Sequence, residues 1–221
     1  MSELNNFLQT YKNFENYEIN EFDKIKLIKI TIGTSNKPLV ILPPYSFSGF
    51  TKIMTTIDNN FDIIKKKYNI IYVIFWSNEI HKESKKITEG INDIKEIYKI
   101  DEKFRVELAI LANKIIKENK INKFTLLGKS TGGGIAIYIA KKNKQVKNLF
   151  LICPGLVKTN IKLNKDIKII LSWNIDDEKL PYEKSLPLIK NYINNKNNFS
   201  FFSFPTGGHE LNDDFFKINI L

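Results

Sequence analysis

Phe124-Thr-Leu-Leu-Gly-Lys-Ser-Thr-Gly-Gly-Gly-Ile-Ala-Ile-Tyr138 predicts a buried strand, a sharp turn and a helix in immediate succession. Ser130 stands at the apex of the turn, and Gly128 and Gly132 give the tight backbone the room that it needs. Such a turn pushes the serine hydroxyl out of the sheet and points the free N–H groups of the helix at the same place. The alternative is a glycine-rich turn in which the serine has no chemical role.

Strands and helices alternate along the rest of the chain. Besides the strand that precedes Ser130, apolar or alternating runs predict strands at 24–32, 39–42, 69–76, 146–153, 166–173 and 199–204. Helices are predicted at 51–67, 91–119, 131–143 and 182–193. This alternation indicates βαβ units, so we expect an α/β fold in three layers, a mainly parallel central sheet with helices on both faces. Residues 1–221 are predicted to form one domain, in which 1–20 are an extension of uncertain structure.

The long helical region has one clearly periodic part. Its apolar positions are Val106, Leu108, Ile110, Leu111, Ile115 and Ile116. That spacing is typical of a helix that packs on a sheet, so we expect these six residues in the core.

The net charge of +10 is carried almost entirely by lysine, since Arg105 is the only arginine among 34 basic residues. Lysine is spread along the chain and accompanies abundant asparagine and isoleucine, a composition typical of an AT-rich genome. Nucleic-acid sites favour clustered arginine, so no specific nucleic-acid binding is expected. Weak attraction to acidic membranes or acidic substrates stays open.

The longest apolar run, from Ile70 to Trp76, is far too short for a membrane span. The first residues are polar and do not resemble a signal peptide. Cys153 is the single cysteine, which fits a reducing compartment. We therefore expect a soluble, cytoplasmic protein, and the sequence leaves its oligomeric state open.

A serine nucleophile needs a base that accepts its proton. Of the two histidines, His209 follows the last predicted strand in Pro-Thr-Gly-Gly-His, whereas His81 lies among charged residues and is expected to be a solvated loop residue. The base needs a carboxylate to orient it, and Asp176 and Asp177 follow the strand at 166–173. From position alone either aspartate fits, and the other would cap the next helix.

These motifs resemble the α/β-hydrolase-fold serine hydrolases over residues 24–215. The order Ser130, Asp177, His209 is the order of that family. Gly128-x-Ser-x-Gly-Gly-x-x-Ala136 matches its turn around the nucleophile, and the acid loop resembles G-x-x-D-x-x-x-P with Asn174 in the place of the glycine. That spacing selects Asp177 as the acid and leaves Asp176 as the second choice.

The resemblance also implies an oxyanion hole made of backbone N–H groups. One donor would be Thr131, and the other would come from the loop after the strand at 39–42, where many relatives carry His-Gly. Here Pro43-Pro44 stands in that place, and because proline has no N–H the donor would be Tyr45, or less readily Ser46. Lys129, beside the nucleophile, would either face solvent or stabilise a negative substrate.

Relatives with a cap domain insert it between the strands predicted at 146–153 and 166–173, and the short connection here implies an open site. The expected function is a Ser-His-Asp hydrolase that cleaves a carboxylic ester of a small-molecule acyl substrate, with a thioester or lysophospholipid as alternatives. A peptidase, an acyltransferase, a hydrolase-like binding protein without turnover, and a lysine-driven anion binder stay open. No metal or organic cofactor is expected, because the two histidines and one cysteine show no metal-ligand spacing.

Overall fold

A computed structural model describes residues 3–14, 16–155 and 160–220 of the chain. Its centre is an eight-stranded sheet whose strands are β1 Tyr17–Phe22, β2 Ile25–Thr31, β3 Pro38–Leu42, β4 Ile70–Trp76, β5 Phe124–Lys129, β6 Val146–Ile152, β7 Lys168–Asn174 and β8 Asn198–Phe204. In space the strands follow the order β1-β2-β4-β3-β5-β6-β7-β8. The two pairings that involve β2 are antiparallel and all others are parallel, so the predicted mainly parallel sheet is confirmed.

Helices cover both faces of the sheet. They are α1 Glu3–Leu8, α2 Phe47–Asn59, α3 Phe61–Lys65, α4 Asn78–Lys86, α5 Ile94–Glu118, α6 Thr131–Lys142, α7 Leu186–Asn194 and α8 Asp214–Ile220, with a 3-10 helix at Tyr182–Ser185. On one face α5 packs against α6, and on the other α3 contacts both α2 and α8. The expectation of three layers is therefore confirmed.

The central strands are apolar because both of their faces are covered. Every residue of β5 is buried, and so are the last four residues of β4 and of β6. Continuous apolar runs of this kind are typical of parallel strands between two helical layers. Trp76 and Trp173, among the largest fully buried side chains, lie at the carboxyl ends of β4 and β7.

Several predicted boundaries differ from the structure. The helix expected at 51–67 is two helices, and the first begins earlier because Ser46 caps it by accepting a hydrogen bond from the Gly49 N–H at 3.2 Å. The polar run 78–86, which carried no helix prediction, forms α4. The unassigned residues 1–20 contain α1 and most of β1, which pairs with β2 at the edge of the sheet.

The expectation that Ile110 belongs to the core is wrong, since 67% of the residue is exposed. Leu108, Ile115 and Ile116 are buried as expected. Side chains two positions apart in an α-helix point about 200° apart around the helix axis, so Leu108 and Ile110 cannot share a face. The buried face of α5 is completed by Ala109 and Ala112, two small side chains that leave room for close packing.

The carboxyl ends of the parallel strands meet at one edge of the sheet. Leu42 of β3 pairs with Gly128 of β5, and Lys129 pairs with Ile152 of β6. Loops at this edge are where parallel α/β sheets place their ligands. Fifteen residues join β6 to β7, too few for a cap domain, and 156–159 among them lie outside the described ranges.

Within the described ranges, no helix combines the length and the apolar character needed to cross a bilayer.

Candidate active site

Ser130 occupies the single-residue turn between β5 and α6. Its φ of 53° and ψ of −123° are rare for a residue with a side chain. The surrounding backbone holds it there: its N–H donates to the Ile152 carbonyl at 3.0 Å, and its carbonyl accepts from Gly133 at 2.9 Å and Gly155 at 2.6 Å. A strained residue fixed by so many partners is typical of a functional site.

Packing explains the glycines on either side of the serine. A Cβ on Gly132 would lie 2.1 Å from the Leu42 carbonyl oxygen, and one on Gly128 would lie 2.7 Å from the Ala136 Cβ. Both distances are far below normal contact. The turn therefore fits against β3 and the start of α6 only without side chains at 128 and 132.

Three side chains predicted from the sequence form one hydrogen-bonded chain. The His209 Nε2 lies 2.9 Å from the Ser130 Oγ, and its Nδ1 lies 2.7 Å from the Asp177 Oδ2. Because an ionised carboxylate only accepts, Nδ1 donates to Asp177 and Nε2 is left to accept the serine proton. The other carboxylate oxygen, Oδ1, accepts from the backbone N–H groups of Lys179 at 3.0 Å and Leu180 at 2.8 Å, so Asp177 is held on both sides.

Asp176 is directed elsewhere. Its carboxylate accepts from the N–H groups of Gly207 at 3.2 Å and Gly208 at 2.8 Å, in the loop that carries His209. Asn174 supports the same loop, because its side-chain amide donates to the Gly208 carbonyl at 2.8 Å and the Glu210 carbonyl at 2.9 Å. The structure therefore brings Asp177, not Asp176, to the imidazole, and gives Asp176 a part in shaping the loop.

His81, the other histidine, lies half-buried in α4 rather than in a loop as expected. It is not among the residues that line the cavity at Ser130.

The loop after β3 is fixed against the turn at Ser130. The Trp76 Nε1 donates to the Pro43 carbonyl at 3.0 Å, and a Cβ on Gly132 would lie 2.6 Å from the same carbonyl oxygen. Tyr45 follows with its ring buried edge-on against Trp76 and Phe104. Thr131, the other predicted donor, is the first residue of α6, where helical N–H groups have no partner within the helix.

Ser130 and His209 open into a cavity of about 390 Å³. Its described lining comes from the loop after β3, the start of α2, α5, the turn at Ser130 and the loops that carry Asp177 and His209. Charged side chains are prominent, namely Lys52, Arg105, Lys129, Lys179 and Glu210. The site therefore combines a hydroxyl, an imidazole and fixed charges in one open cleft.

Lys129 does not face solvent, which was one of the two surroundings considered from sequence, and it lines the cavity at Ser130. Only 2% of its side chain is exposed, and its Nζ donates to the Glu210 Oε2 at 2.9 Å. The Glu210 Oε1 accepts from Lys52 at 2.7 Å. Burial alone would raise the pKa of Glu210, but the hydrogen bonds from the two lysines hold it below its usual value. This ion pair joins the residue before Ser130 to the residue after His209.

Among the described residues, one group of side chains could hold a metal ion, and it includes Cys153 beside the site. Its Sγ, a carboxylate oxygen of Asp177 and a ring nitrogen of His209 lie within 4.8 Å of one another. Metals bind the thiolate, yet burial, with a smaller contribution from the negative charge of Asp177, raises the pKa of this thiol to about 12. The set therefore fits a metal ion poorly.

Sequence reasoning missed Glu210, Cys153 and any role for Arg105 at this site. A signal existed for Arg105, because a lone arginine among 34 basic residues is conspicuous. Glu210 and Cys153 stand beside His209 and at the end of β6, but only the folded chain shows what they contact.

No protein-family model matches the sequence, and a search of curated proteins finds no relative. Solved structures are similar in three dimensions. A predicted CIB-like hydrolase from Thermoplasma acidophilum is 19% identical, with 93% of this chain and 95% of that chain covered and a TM-score of 0.61. Esterase PE8 is 12% identical, with 85% and 91% covered and a TM-score of 0.63.

MGS-M1, an α/β-hydrolase enzyme from a Medee basin deep-sea metagenome library, is 16% identical over 88% of this chain and 83% of its own, with a TM-score of 0.56. At such identities the likeness establishes architecture alone. Strand order, parallel core and the strand–turn–helix at Ser130 agree with it, and we conclude that the chain has the α/β-hydrolase fold.

Proposed function

We propose that the protein is a serine hydrolase that cleaves a carboxylic ester through an acyl-enzyme on Ser130. The observation that carries the proposal is the chain from the Ser130 Oγ to the His209 Nε2 at 2.9 Å and from Nδ1 to Asp177 at 2.7 Å. A hydroxyl, a base and an orienting carboxylate in this order are what nucleophilic catalysis by serine requires. The fold adds support, since the similar solved structures include proteins described as esterases and hydrolases.

In the first half of the reaction, the Ser130 Oγ forms a bond to the ester carbonyl carbon while its proton passes to the His209 Nε2. The carbonyl π electrons move to oxygen, and backbone N–H groups of Thr131 and Tyr45 hold the resulting oxyanion. When the intermediate collapses, the bond to the alcohol oxygen breaks and that oxygen takes the proton from the imidazolium. Asp177 stabilises the imidazolium and keeps its orientation.

In the second half, water replaces the alcohol. The His209 Nε2 accepts a proton from water as the water oxygen bonds to the acyl carbon, and the Ser130–acyl bond then breaks. The proton returns to Ser130, and the carboxylic acid leaves. The absence of a cap domain leaves the acyl-enzyme open to water, which favours hydrolysis over transfer to a large acceptor.

A substrate panel with purified protein tests the proposal. We expect hydrolysis of 4-nitrophenyl butyrate and a loss of at least about 10³-fold in kcat in Ser130→Ala, because the residual rate comes from binding alone. Ser35→Ala, a serine whose hydroxyl bonds to the Lys67 carbonyl away from the cavity, is the matched control. Preferential cleavage of a peptide 4-nitroanilide, or acyl transfer to an added alcohol in place of hydrolysis, would contradict ester hydrolysis as the activity.

A further inference from the structure

Buried charge in this protein is concentrated at one place. Among the described residues the buried charged side chains are Arg105, Lys129 and Asp177, and all three lie at the site around Ser130. The burial of Asp177 is explained by its hydrogen bond to the His209 ring. The two cations need a separate reason, because burying a charge costs free energy even when it is paired, and lysines elsewhere reach the surface.

Arg105 lines the same cavity as Ser130 and His209. A Cβ on Gly155 would lie 2.9 Å from the Arg105 Nη1, and the Gly155 N–H donates to the Ser130 carbonyl at 2.6 Å. Gly155 therefore lies beside the guanidinium and is hydrogen-bonded to the backbone of Ser130. Arg105 is 6% exposed, forms an ion pair with Asp101 of the same helix, and lines the cavity.

Three of the other four charged residues that line the cavity are cations like Arg105. Lys179 is exposed at its rim, and Lys52 and Lys129 share the carboxylate of Glu210. Glu210 is the only acid among the described lining residues, so four cations face one carboxylate. Two further carboxylates contact lining residues, Asp101 at Arg105 and Asp177 at His209, so four cationic side chains stand against three carboxylates. The cleft therefore keeps a small excess of positive charge, and its guanidinium is suited to bidentate contact with an oxyanion.

We propose that the preferred substrate is an ester that carries a second, anionic group, a carboxylate or a phosphate, which binds Arg105 and Lys179. This inference rests on the proposed esterase function and adds the substrate class. The anionic group lies beside the scissile ester, and Lys52 and Lys129 keep the surrounding potential positive. A neutral ester of the same length makes the same contacts at Ser130 but brings no anion to the cationic subsite.

A charge-matched substrate series tests the proposal. All four substrates are 4-nitrophenyl esters. The monoester of glutaric acid carries a carboxylate, and methyl glutarate gives its neutral analogue. The 4-phosphonobutanoate ester carries a phosphonate, and the 4-(trimethylammonio)butanoate ester carries a cation. We expect kcat/KM for the better anionic ester to exceed that of the neutral one about ten- to hundredfold. The excess should shrink as salt is added, and the cationic ester should be poorest. The ranking of carboxylate against phosphonate identifies the anion.

Variants locate the subsite through the ratio of anionic to neutral kcat/KM, a quantity that does not depend on the fraction of folded protein. Arg105→Gln and the exposed Lys179→Gln should each lower this ratio several-fold. Lys66→Gln removes the same charge from an exposed residue that does not line the cavity, and should leave the ratio unchanged. A wild-type ratio near one, or a ratio that survives in both cavity variants, would overturn the proposal.

Binding to Ser130→Ala separates this inference from the proposed function. Calorimetric titration with monomethyl glutarate and dimethyl glutarate needs no turnover. Tighter binding of the monoester by about tenfold or more supports the anionic subsite even if the wild-type protein hydrolyses no ester. Equal affinity for the two compounds, or no binding of either, would count against the subsite whatever the catalytic result.

Discussion

Asp176 and Asp177 are neighbours in the chain, yet their carboxylates accept hydrogen bonds from different groups. Asp177 accepts from the His209 ring, and Asp176 accepts from the Gly207 and Gly208 backbone. Only the first contact holds the imidazole in the tautomer that can accept the Ser130 proton. At the scale of single residues, the orientation of His209 therefore depends on which of two adjacent acids faces its ring.

Replacing each aspartate by asparagine tests this assignment. An amide at 177 can donate to Nδ1 and favour the wrong tautomer, so Asp177→Asn should lower kcat for 4-nitrophenyl butyrate about 10⁴-fold, the loss that the same change causes in a serine protease triad. Asp176→Asn keeps an acceptor for the loop N–H groups and should lose no more than about tenfold. Steady-state kinetics of the two variants show which aspartate orients His209. Equal losses of kcat would contradict separate roles for Asp176 and Asp177.

At the scale of elements, the turn between β5 and α6 stores strain at Ser130. Its φ of 53° with ψ of −123° is a conformation that glycine adopts far more readily. The hydrogen bonds from Gly133 and Gly155 to its carbonyl hold the conformation in place. The protein therefore gives up stability here to present the hydroxyl to His209.

Two inactive variants measure that strain. Ser130→Gly should unfold with a free energy about 1 kcal/mol larger than Ser130→Ala, because glycine relieves the backbone and outweighs its own entropic cost. Urea denaturation gives both values. Ser48, an exposed residue in α2 with ordinary helical geometry, provides the control, since glycine there should be less stable than alanine. The same order at both positions would show that Ser130 carries no strain.

The elements themselves were predictable to different degrees. Buried strands such as β4 and β6 stand out because parallel strands are continuously apolar. The edge strand β1 was not predicted because none of its residues, YEINEF, is fully buried, and half-buried residues alternate with exposed ones over only part of the strand. Ile110 was misplaced because an apolar residue was counted without regard to its angle on α5.

At the scale of the whole molecule, Glu210 links parts of the chain that are far apart in sequence. It binds Lys129, 81 positions away, and Lys52, 158 positions away. No local sequence pattern predicts such contacts. The sequence therefore indicated Ser130, Asp177 and His209 as site residues but not the ion pairs around them. Ser130, Asp177 and His209 belong to motifs at strand ends that can be read from the sequence. The contacts among the surrounding charged residues form only when the folded sheet brings them together.

The pH dependence of stability tests this linkage. The folded pKa of Glu210 is lowered, so its ionised form contributes stability above its unfolded pKa, about 4.3, and that contribution is lost as the pH falls through the folded value. Glu210→Gln should therefore lower Tm at pH 7, and its difference from wild type should shrink as the pH falls below the unfolded pKa and vanish below the lowered folded pKa.

Glu107→Gln serves as the control for that experiment. Glu107 is exposed on α5, and no ion pair joins it to another described residue. Its substitution removes the same charge, so any general effect of net charge appears in both variants. A Tm difference for Glu210→Gln that persists unchanged at low pH would contradict the role of the ionised carboxylate.

The central claim is that Ser130 is an activated nucleophile. Incubation of the native protein with a fluorophosphonate, followed by intact-mass analysis and peptide mapping, tests it most directly. The account predicts a single adduct on Ser130 in the wild-type protein, slow labelling in His209→Ala and none in Ser130→Ala. An unlabelled wild-type protein, or equal labelling of Ser130→Ala, would contradict it.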